Sequence, residues 1–393
     1  MSTYFDYAAT TPVDERILEV MLPFFSERYG NANSLYALGR DAYRAVEEAR
    51  ESIMKSINAE RPDEVIFTAG GTESDNAALI GILTKLAPKG DAHLIVSGFE
   101  HHAILEPAHW LEKQGYELTV LMPRDDGHIH PDDLRAAMKP NTKLVSIMHA
   151  NNEIGTINPI KELAVVAHEG GALFHTDAAQ TLGKIPFDVR ELGIDAASFS
   201  SHKIYGPKGF GALYLKKRTP FNAYLMGGGQ EFKKRSGTQN TPGAIGFAKA
   251  LEIMVAEQKE EGARLTALRD KLINGVTSVL ENTQGTTLVE PRLPHIASLL
   301  INGVEGEAML LQLDNKNIAV STGSACSSGS LEPSHVLLSI GCPPEIAHGS
   351  LRISLGRFTT EADVDFFLEV FPPIIERLRA MSPVYEKMFG SKK

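Results

Sequence analysis

The sequence of 393 residues predicts an α/β fold, with a large and mostly parallel sheet followed by a smaller C-terminal α+β part. Short apolar runs alternate with stretches of helical periodicity, which is typical of parallel strands covered by helices on both faces. Two of these runs end in polar residues, as buried strands do when they deliver side chains to a pocket at their carboxyl ends. A chain this long exceeds one average domain and suits two.

The first clear element along the chain is a helix predicted to reach Ile57. Its apolar residues recur every three or four positions from Leu38 onward, and Ser34 is a candidate N-cap. Seven short apolar runs then predict strands, with a helix beginning at Thr72 after the first and further helical stretches, such as 159–170, between later ones. The seven runs are 64–70, 93–99, 117–122, 143–150, 172–178, 196–201 and 211–216.

A long helical segment at 242–280 is predicted to lead into the second domain. Pro372 and Pro373 lie inside the last predicted helix and predict a break or kink there. The strands predicted for this part are 295–302, 319–324 and 350–356, and the helices are 305–315, 332–340 and 360–378. We expect a large domain at 13–260 and a small domain formed by 1–12 and 261–393.

Composition restricts the class of protein. A net charge of −10 gives no basic field that would attract nucleic acid. No apolar run approaches the eighteen or so residues that a membrane helix requires, and the N-terminus lacks the basic and apolar succession of a secretory signal. Two cysteines argue against a disulfide framework and for a reducing compartment, so we expect a cytoplasmic protein with no nucleic-acid or membrane partner.

The segment from 174 to 211 carries the strongest chemical signal. FHTDAAQ delivers Asp177 and Gln180 at the end of one predicted strand, and SFSSHKIYGPKG delivers Ser200, His202 and Lys203 at the end of the next. A lysine beside a hydroxyl, an imidazole and a glycine-rich turn is well placed to form an imine with an aldehyde cofactor that carries a phosphate. Pyridoxal phosphate is such a cofactor, and Asp177 is a candidate carboxylate for its ring nitrogen.

These two segments resemble the pyridoxal-phosphate site of the cysteine desulfurases, in the class V aminotransferase superfamily. The resemblance covers nearly the whole chain, and STGSACSS, in a long loop, is like the NifS/IscS branch. Further motifs in family order are FDYAATTPVD, GGTESDN, EHHAIL, ANNEIGT, GGGQE, RSGT, STGSACSSGSLEPSHVL and LRISLGRFTTEADVD. The resemblance implies a fold-type-I pyridoxal-phosphate enzyme and a homodimer that converts L-cysteine to L-alanine. The sulfur would remain as a persulfide for an acceptor protein such as an iron–sulfur scaffold.

The motif GGTES is the candidate phosphate site. It follows a predicted strand and opens a helix, where glycines and free N–H groups favour an anion, and Gly71 and Thr72 are its candidate ligands. An ordinary capped helix is the structural alternative, since threonine is a common N-cap. By resemblance, Ser200 and His202 donate further hydrogen bonds to the phosphate, and Thr238 reaches it from the neighbouring subunit.

The ring of the cofactor has its own candidate partners. Asp177 would keep the ring nitrogen protonated, and such a charge-assisted hydrogen bond contributes roughly 1.5–3 kcal/mol. By resemblance, Gln180 and Asn152 hydrogen-bond the phenolate oxygen. Asn151 is the adjacent alternative, and a turn amide is the structural reading of either asparagine.

His101 matches the family histidine that stacks on the cofactor ring. A further role as a proton carrier is left open by the sequence. Its neighbour His102 suggests a metal, but consecutive residues point apart and no cysteine or acidic cluster completes a zinc pattern. We therefore expect no metal site.

Cys326 is the candidate sulfur carrier. It lies in STGSACSSGS, a run of small residues within the segment 321–333, whereas a buried structural cysteine usually has apolar neighbours. An inert loop thiol is the alternative, and the resemblance favours the sulfur carrier. Cys342, before two prolines, is predicted to be structural.

Arg352 is the candidate ligand of the substrate carboxylate. Leu351, Ile353 and Leu355 share one face of its predicted strand, which leaves Arg352 on the other, and arginine binds carboxylates bidentately.

YGNANSLYALG, near the N-terminus, resembles the family substrate loop, usually written GNPSSxH. Asn31 and Asn33 fit that motif as substrate ligands. Ala32 replaces its usual proline and Tyr36 its usual histidine.

Two rival functions follow from the same residues. Another enzyme on this scaffold, such as a selenocysteine lyase or an aminotransferase, is the first, although an aminotransferase has no need of Cys326. A non-catalytic partner protein that keeps the fold is the second, and its expected mark is erosion of the pocket. The sequence retains all five of the expected pocket and loop residues, so we expect an enzyme. They are Lys203, Asp177, His101, Cys326 and Arg352.

Overall fold

A computed structural model describes residues 3–287, 289–323 and 332–389. In chain order its strands are β1 (Thr3–Tyr4), β2 (Val65–Thr68), β3 (His93–Ser97), β4 (Glu117–Leu121), β5 (Thr142–Ser146), β6 (Leu173–Asp177), β7 (Ala196–Ser200), β8 (Gly211–Leu215), β9 (Thr283–Gly285), β10 (Ile296–Ile301), β11 (Ile318–Ala319) and β12 (Ser350–Ser354).

The helices before residue 240 are α1 (Glu15–Met21), α2 (Pro23–Ser26), α3 (Ala37–Ser56), α4 (Gly71–Leu86), α5 (His102–Lys113), α6 (Pro131–Ala137), α7 (Ile160–Glu169) and α8 (Val189–Leu192). Those that follow are α9 (Thr241–Val279), α10 (Gly306–Asp314), α11 (His335–Ser339), α12 (Pro344–Ala347), α13 (Glu361–Ala380) and α14 (Pro383–Phe389).

A seven-stranded sheet in the order β2-β8-β7-β6-β5-β3-β4 forms the centre of the larger part of the molecule. The strands from β7 to β4 are parallel, and β8 runs antiparallel to both of its neighbours. Each of the seven apolar runs forms one of these strands, and the predicted α/β class with a mostly parallel sheet is confirmed. Because β6 and β7 are parallel neighbours, Asp177 lies opposite Ser198 and both strands end at the same edge.

Helices cover both faces of this sheet, which explains why β2, β3, β7 and β8 are buried at every position rather than at alternate ones. On one face α4 and α5 bury Leu79, Leu83 and Leu111 against Ile66 and Leu94 of the sheet. On the other face α3, α7 and α9 complete a larger apolar cluster. Complete burial of each such side chain contributes about 1.5–3 kcal/mol, so the sheet is a rigid support for residues at its edge.

The C-terminal part is a second layer structure with its own core. An antiparallel sheet in the order β12-β10-β9 packs with α10, α13 and the second half of α9. Phe5, near the N-terminus, lies in the same core, because β1 pairs in parallel with β11. The predicted domain limits of 13–260 against 1–12 and 261–393 stay a prediction, which the two separate cores support.

Local predictions in three places differ from the structure. The first turn of α3 begins at Ala37, and its N-cap is Tyr36, without a side-chain hydrogen bond, rather than Ser34. The predicted strand at 319–324 is reduced, among the described residues, to the end of β11 and a single bridge between Ser321 and Arg352.

The third difference concerns the proline pair in α13. The helix continues through Pro372 and Pro373 to Ala380, so the expected break does not occur. Phe371, Ile374 and Ile375 are buried on either side of the pair. Packing of these side chains in the second core outweighs the backbone hydrogen bonds that the two prolines cannot make.

Crossing a bilayer demands a helix that is both long and apolar, and none of the helices in the described ranges meets both conditions.

Candidate active site

A cavity of about 700 Å³ lies at the carboxyl edge of the large sheet, where β6 and β7 end and α4 begins. Most of the residues predicted to bind cofactor or substrate line it together. They are Gly71, Thr72, His101, Asn152, Asp177, Gln180, Ser200, His202, Lys203 and Arg352. The parallel arrangement of the strands explains this convergence, since each strand delivers its last residues to the same edge.

Lys203 is held at the cavity wall by the backbone of the N-terminal segment. It ends a short 3-10 turn, 201–203, that directly follows β7. Its Nζ donates to the carbonyl oxygens of Ala8 and Ala9, at 2.6 and 2.8 Å. Thr11 fixes the turn, because its N–H and its hydroxyl both donate to the carbonyl of His202. Ala8 and Ala9 were not predicted as site residues, although they lie in the motif FDYAATTPVD, which could have identified them.

Two buried carboxyl groups, Asp75 and Asp177, lie together in the cavity wall. Asp177 ends β6, and its Oδ1 accepts from the N–H of Ala179 at 2.8 Å. Burial and the nearby charge of Asp177 raise the pKa of Asp75 well above its usual value, so Asp75 carries the proton of the pair. Burial also raises the pKa of Asp177, while the Ala179 N–H and the charge of Lys203 lower it. A positive group in the cavity would favour the ionised form of Asp177.

One end of the cavity has the chemistry of an anion site. Thr72 lies in the first turn of α4, a helix of 16 residues whose free N–H groups open toward the cavity. Gly70 precedes it with φ of +153°, a backbone conformation that favours glycine. A Cβ on Gly71 would lie 3.5 Å from the Cβ of Ser200, so a side chain there would fill the space between helix and hydroxyl.

A carboxylate beside this anion site is paired with an arginine. Glu73 lies in the first turn of α4 and lines the cavity, where its charge would repel a phosphate. Its Oε1 accepts from Arg235 Nε at 2.9 Å, and its Oε2 accepts from the N–H of Ala69 at 2.8 Å. The arginine therefore cancels a charge that would otherwise oppose anion binding.

Both predicted histidines of the pocket are neutral near pH 7. Burial, followed by the charge of Lys203, lowers the pKa of His101 to about 4 and that of His202 to about 4. His101 caps α5, and its Nδ1 accepts from the N–H of Ala103 at 3.1 Å, which puts the ring proton on Nε2. His202 Nδ1 lies 3.0 Å from Thr10 Oγ1.

Metal ligation is not indicated at this site. Across the described ranges, no group of three or more histidine, cysteine, aspartate or glutamate side chains is arranged to hold an ion.

The amide candidates differ in how they are used. Asn152 lines the cavity. Asn151 is fully buried, and its side chain donates to the carbonyl of Phe99 and accepts from the N–H groups of Glu153 and Ile154. Asn151 therefore serves the turn after β5, and the structure places Asn152 rather than Asn151 in the cavity.

Arg352 reaches the cavity from the C-terminal sheet. The side chain is 4% exposed, and Leu351 and Ile353, on either side of it, point into the second core. Its Nη2 contacts Asp6 Oδ1 at 2.9 Å and its Nη1 donates to the carbonyl of Asn152 at 3.2 Å. Its buried Nε has no partner among the described residues.

Three predicted residues lie outside this cavity in the described chain. Thr238 is exposed and lines a neighbouring cavity of about 160 Å³, which shares Phe210 and Gly209 with the large one. Asn31 and Asn33 are exposed, and the N–H of Asn33 donates to Oδ1 of Asn31 at 2.9 Å. Their roles stay predictions.

The two cysteines differ in what can be said of them. Cys326 lies outside the described residues, so its predicted role also stays a prediction. Cys342 is half-buried, and burial raises the pKa of its thiol. A thiol with a raised pKa is a poor nucleophile at neutral pH, which agrees with a structural role.

Comparisons with known proteins agree with this geometry. Residues 3–367 match the family Aminotransferase class-V. Cysteine desulfurase IscS of Dictyoglomus turgidum is 50% identical over 390 residues, which cover 99% of this chain and 98% of that protein. A solved NifS-like protein has a TM-score of 0.89 and 38% identity, covering 96% of this chain and 99% of its own. SspA in complex with cysteine has a TM-score of 0.80 and 36% identity, covering 91% and 100%. The chain therefore belongs to the class-V aminotransferase family and, within it, to the cysteine desulfurases.

Proposed function

We propose that the protein binds pyridoxal 5'-phosphate and removes sulfur from L-cysteine, giving L-alanine and a persulfide on Cys326. The observation that carries this proposal is the single cavity in which the Lys203 amine, the Asp177 carboxylate and the start of α4 lie together. The solved relative that contains cysteine supports the substrate class.

The donor set fits this cofactor. Bound pyridoxal phosphate supplies an aldehyde that condenses with amines and a ring that accepts electrons from the substrate α-carbon. The start of α4, with Ser200 and His202, would hold its phosphate. Asp177 would hold its ring nitrogen. Burial raises the pKa of Asp177, and a positive ring nitrogen beside it would favour the ionised carboxylate.

Lys203 would act in turn as anchor and as proton carrier. Its Nζ would hold the cofactor in the resting protein and would be released when the amine of the substrate takes its place. The carbonyls of Ala8 and Ala9 accept from this Nζ in the structure, so they would orient the free amine at the cavity wall. From there Nζ would move a proton at the substrate α-carbon.

Arg352 would hold the carboxylate of the substrate. Its buried Nε lacks a partner among the described residues, and a carboxylate could pair with Nε and Nη2 together. Asp6 already contacts Nη2, so the substrate would share or displace that contact. Neutral His101, which also lines the cavity, would pack on the cofactor ring without adding a second positive charge.

Cys326 would receive the sulfur as a thiolate, the nucleophilic form of cysteine. The C–S bond of the substrate breaks and an S–S bond to Cys326 forms. The substrate carbon gains a hydrogen and is reduced, while the two sulfur atoms become the oxidised pair. Cysteine and one thiol therefore become alanine and one persulfide, and no outside oxidant is needed.

The test is the reaction of Cys326→Ser with cysteine. A hydroxyl is too weakly acidic and nucleophilic to replace a thiolate, so this variant should keep the cofactor but form no protein-bound persulfide. Cys342→Ser is the matched control and should react like the wild type. Alanine is measured by chromatography and bound sulfur by mass spectrometry. Alanine formed by Cys326→Ser at the wild-type rate, without added thiol, would show that sulfur is released directly.

A homodimer is part of the proposal. A large group of exposed apolar side chains lies between residues 18 and 43, which is unusual for a monomer surface. They are Leu18, Leu22, Phe25, Tyr29, Leu35, Tyr36, Leu38 and Tyr43. A second copy would cover them and bring its Thr238 to the phosphate site, as the family resemblance implies. Sedimentation should then give twice 42.8 kDa, and a fully active monomer would exclude this arrangement.

The surroundings of the enzyme complete the proposal. The persulfide needs a sulfur acceptor protein, for which an iron–sulfur scaffold is the candidate, and a free catalytic thiol fits the reducing cytoplasm. Transfer of labelled sulfur to a purified scaffold tests the acceptor, and cell fractionation tests the location.

A further inference from the structure

Lys184 lies directly behind the cavity wall, in the turns after β6, and has no role in the reaction as proposed above. Its Nζ is 3.2 Å from Oε1 of Gln180 and 3.1 Å from Nε2 of His295. It does not line the large cavity, whereas Gln180 does. We propose that Lys184 is a positioning residue that fixes the carboxamide of Gln180, so that the NH₂ group faces the ligand. The proposal rests on the proposed function, in which Gln180 donates to the phenolate oxygen of the cofactor.

The neighbours of Gln180 determine which way its amide points. A glutamine amide has two orientations, which exchange an acceptor for a pair of donors. Nε2 donates to the carbonyl of Ala8 at 2.9 Å, and Oε1 accepts from Lys184. The carbonyl of Ala8 can only accept, so it requires the NH₂ group on its side, and Lys184 Nζ has hydrogens to donate to Oε1 in either protonation state.

This orientation leaves one hydrogen of the amide for a ligand. Among the described residues, Ala8 is the one partner of the NH₂ group. Gln180 is buried and lines the cavity, so the second hydrogen of Nε2 is available to an acceptor bound there. In the reversed orientation the carbonyl oxygen would face the same acceptor and would repel a phenolate.

His295 completes the environment of Lys184. The side chain is 2% exposed, and burial together with the charge of Lys184 lowers its pKa well below the usual value, so the ring is neutral. Its Nε2 can therefore accept from the lysine, which leaves the proton on Nδ1. Nδ1 has no protein partner in the described chain, and a cavity of about 20 Å³ beside both residues is large enough for one water molecule.

Stability alone does not explain a lysine at this position. Burial, followed by the charge of Lys203, lowers the pKa of Lys184 to about 7, so the charged form is disfavoured there. Replacement of a buried charged group by an apolar one of similar volume is often neutral or stabilising. A methionine has a similar length and no charge to bury, but it lacks what the lysine supplies, which is a donor to Gln180.

The experiment measures cofactor affinity and the visible absorption band in four variants. Apo-protein is titrated with pyridoxal phosphate for Lys184→Met, Gln180→Ala, the double variant and Lys184→Gln. Lys139→Met, at a surface pair with Glu117, is the matched control. We expect Lys184→Met and Gln180→Ala each to raise the dissociation constant roughly ten-fold or more, as for a lost hydrogen bond to a charged group, and to shift the band.

The double variant and the glutamine variant identify the cause. If Lys184 acts through Gln180, the double variant is no weaker than Gln180→Ala alone. Lys184→Gln keeps a donor without the charge, so it should retain most of the affinity and the wild-type band. Additive losses in the double variant, wild-type affinity in Lys184→Met, or a loss in Lys184→Gln equal to that in Lys184→Met would each overturn the proposal. Failure of the wild type to bind the cofactor would instead overturn the proposed function.

Discussion

Arg352, in the cavity wall, has one hydrogen-bond donor that no described residue uses. Its guanidinium donates to Asp6 and to the carbonyl of Asn152, while its buried Nε has no partner among the described residues. A buried donor without a partner costs about 1–3 kcal/mol. This unpaired donor belongs to a residue that lines the cavity, and a bound substrate carboxylate would supply its missing partner. Such an arrangement is expected of a binding group that is already positioned before the substrate arrives.

The first prediction tests that group. Arg352→Ala should raise the KM for cysteine by a factor of roughly 10–100, which corresponds to a lost charged hydrogen bond, while the kcat stays near that of the wild type. Arg124→Ala, which removes a surface pair with Asp133, is the control for loss of an arginine. Steady-state alanine production gives both constants. A fall in kcat with an unchanged KM would show that Arg352 acts on the reaction rather than on binding.

Much of the site could be predicted at the scale of single residues, because its polar side chains are recognisable in the sequence. Asp177 and Lys203 stand at the ends of apolar runs, where a polar residue is conspicuous. The carbonyls of Ala8 and Ala9 could not be found in the same way, since alanine carries no chemical signal and any residue has a carbonyl. Lys184 was equally hidden, because its partner His295 lies 111 positions away in the chain.

At the scale of elements, the predictions succeeded where one pattern dominated. Each buried strand of the large sheet contains a short apolar run, as in β2 and β8, and these runs stand out against polar loops. Strands of two residues, such as β1 and β11, carry no periodicity and were missed or misplaced. The continuity of α13 through Pro372 and Pro373 depends on packing in the second core, which local propensity does not contain.

The turn after β5 connects several elements of the site. Asn151 holds this turn, and Glu153 within it accepts from the hydroxyl of Ser334 at 2.5 Å. Ser334 is in turn the N-cap of α11. His335 donates from Nε2 to the carbonyl of Glu100 at 2.9 Å, which is next to His101. The start of α11 is therefore tied to both loops that carry pocket residues, although its own sequence shows only an ordinary helix cap.

At the scale of the whole molecule, both ends of the chain build the cavity. The N-terminal segment pairs with β11, bridges to β12 at Asp6 and Ser354, and then supplies carbonyls to Lys203. The helix α9 buries its first half in the large core and its second half in the small one. Contacts between such distant parts of the sequence could not be read from local patterns, and the family resemblance was the only guide to them.

The last prediction concerns how global stability depends on pH. Burial raises the pKa of Glu153 to about 7 and that of Glu100 to about 8, despite the hydrogen bonds and, for Glu153, the charge of Arg352, which lower it. The folded-state pKa of each group is higher than its pKa in the unfolded chain. Each group therefore makes its full contribution to stability only when the pH is below its pKa in the unfolded chain. That contribution is lost as the pH rises through the folded value.

Glu153→Gln removes the titrating proton and keeps an amide that can contact Ser334. Its free energy of unfolding, relative to the wild type, should therefore rise between about pH 4.5 and pH 7, by roughly 3 kcal/mol if the full shift is expressed. Denaturant titrations of the apo-protein at several pH values measure this difference, and Glu19→Gln, on the exposed face of α1, controls for the substitution itself. A difference that is constant with pH would contradict this prediction. It would mean that Glu153 ionises as readily in the folded protein as in the unfolded chain.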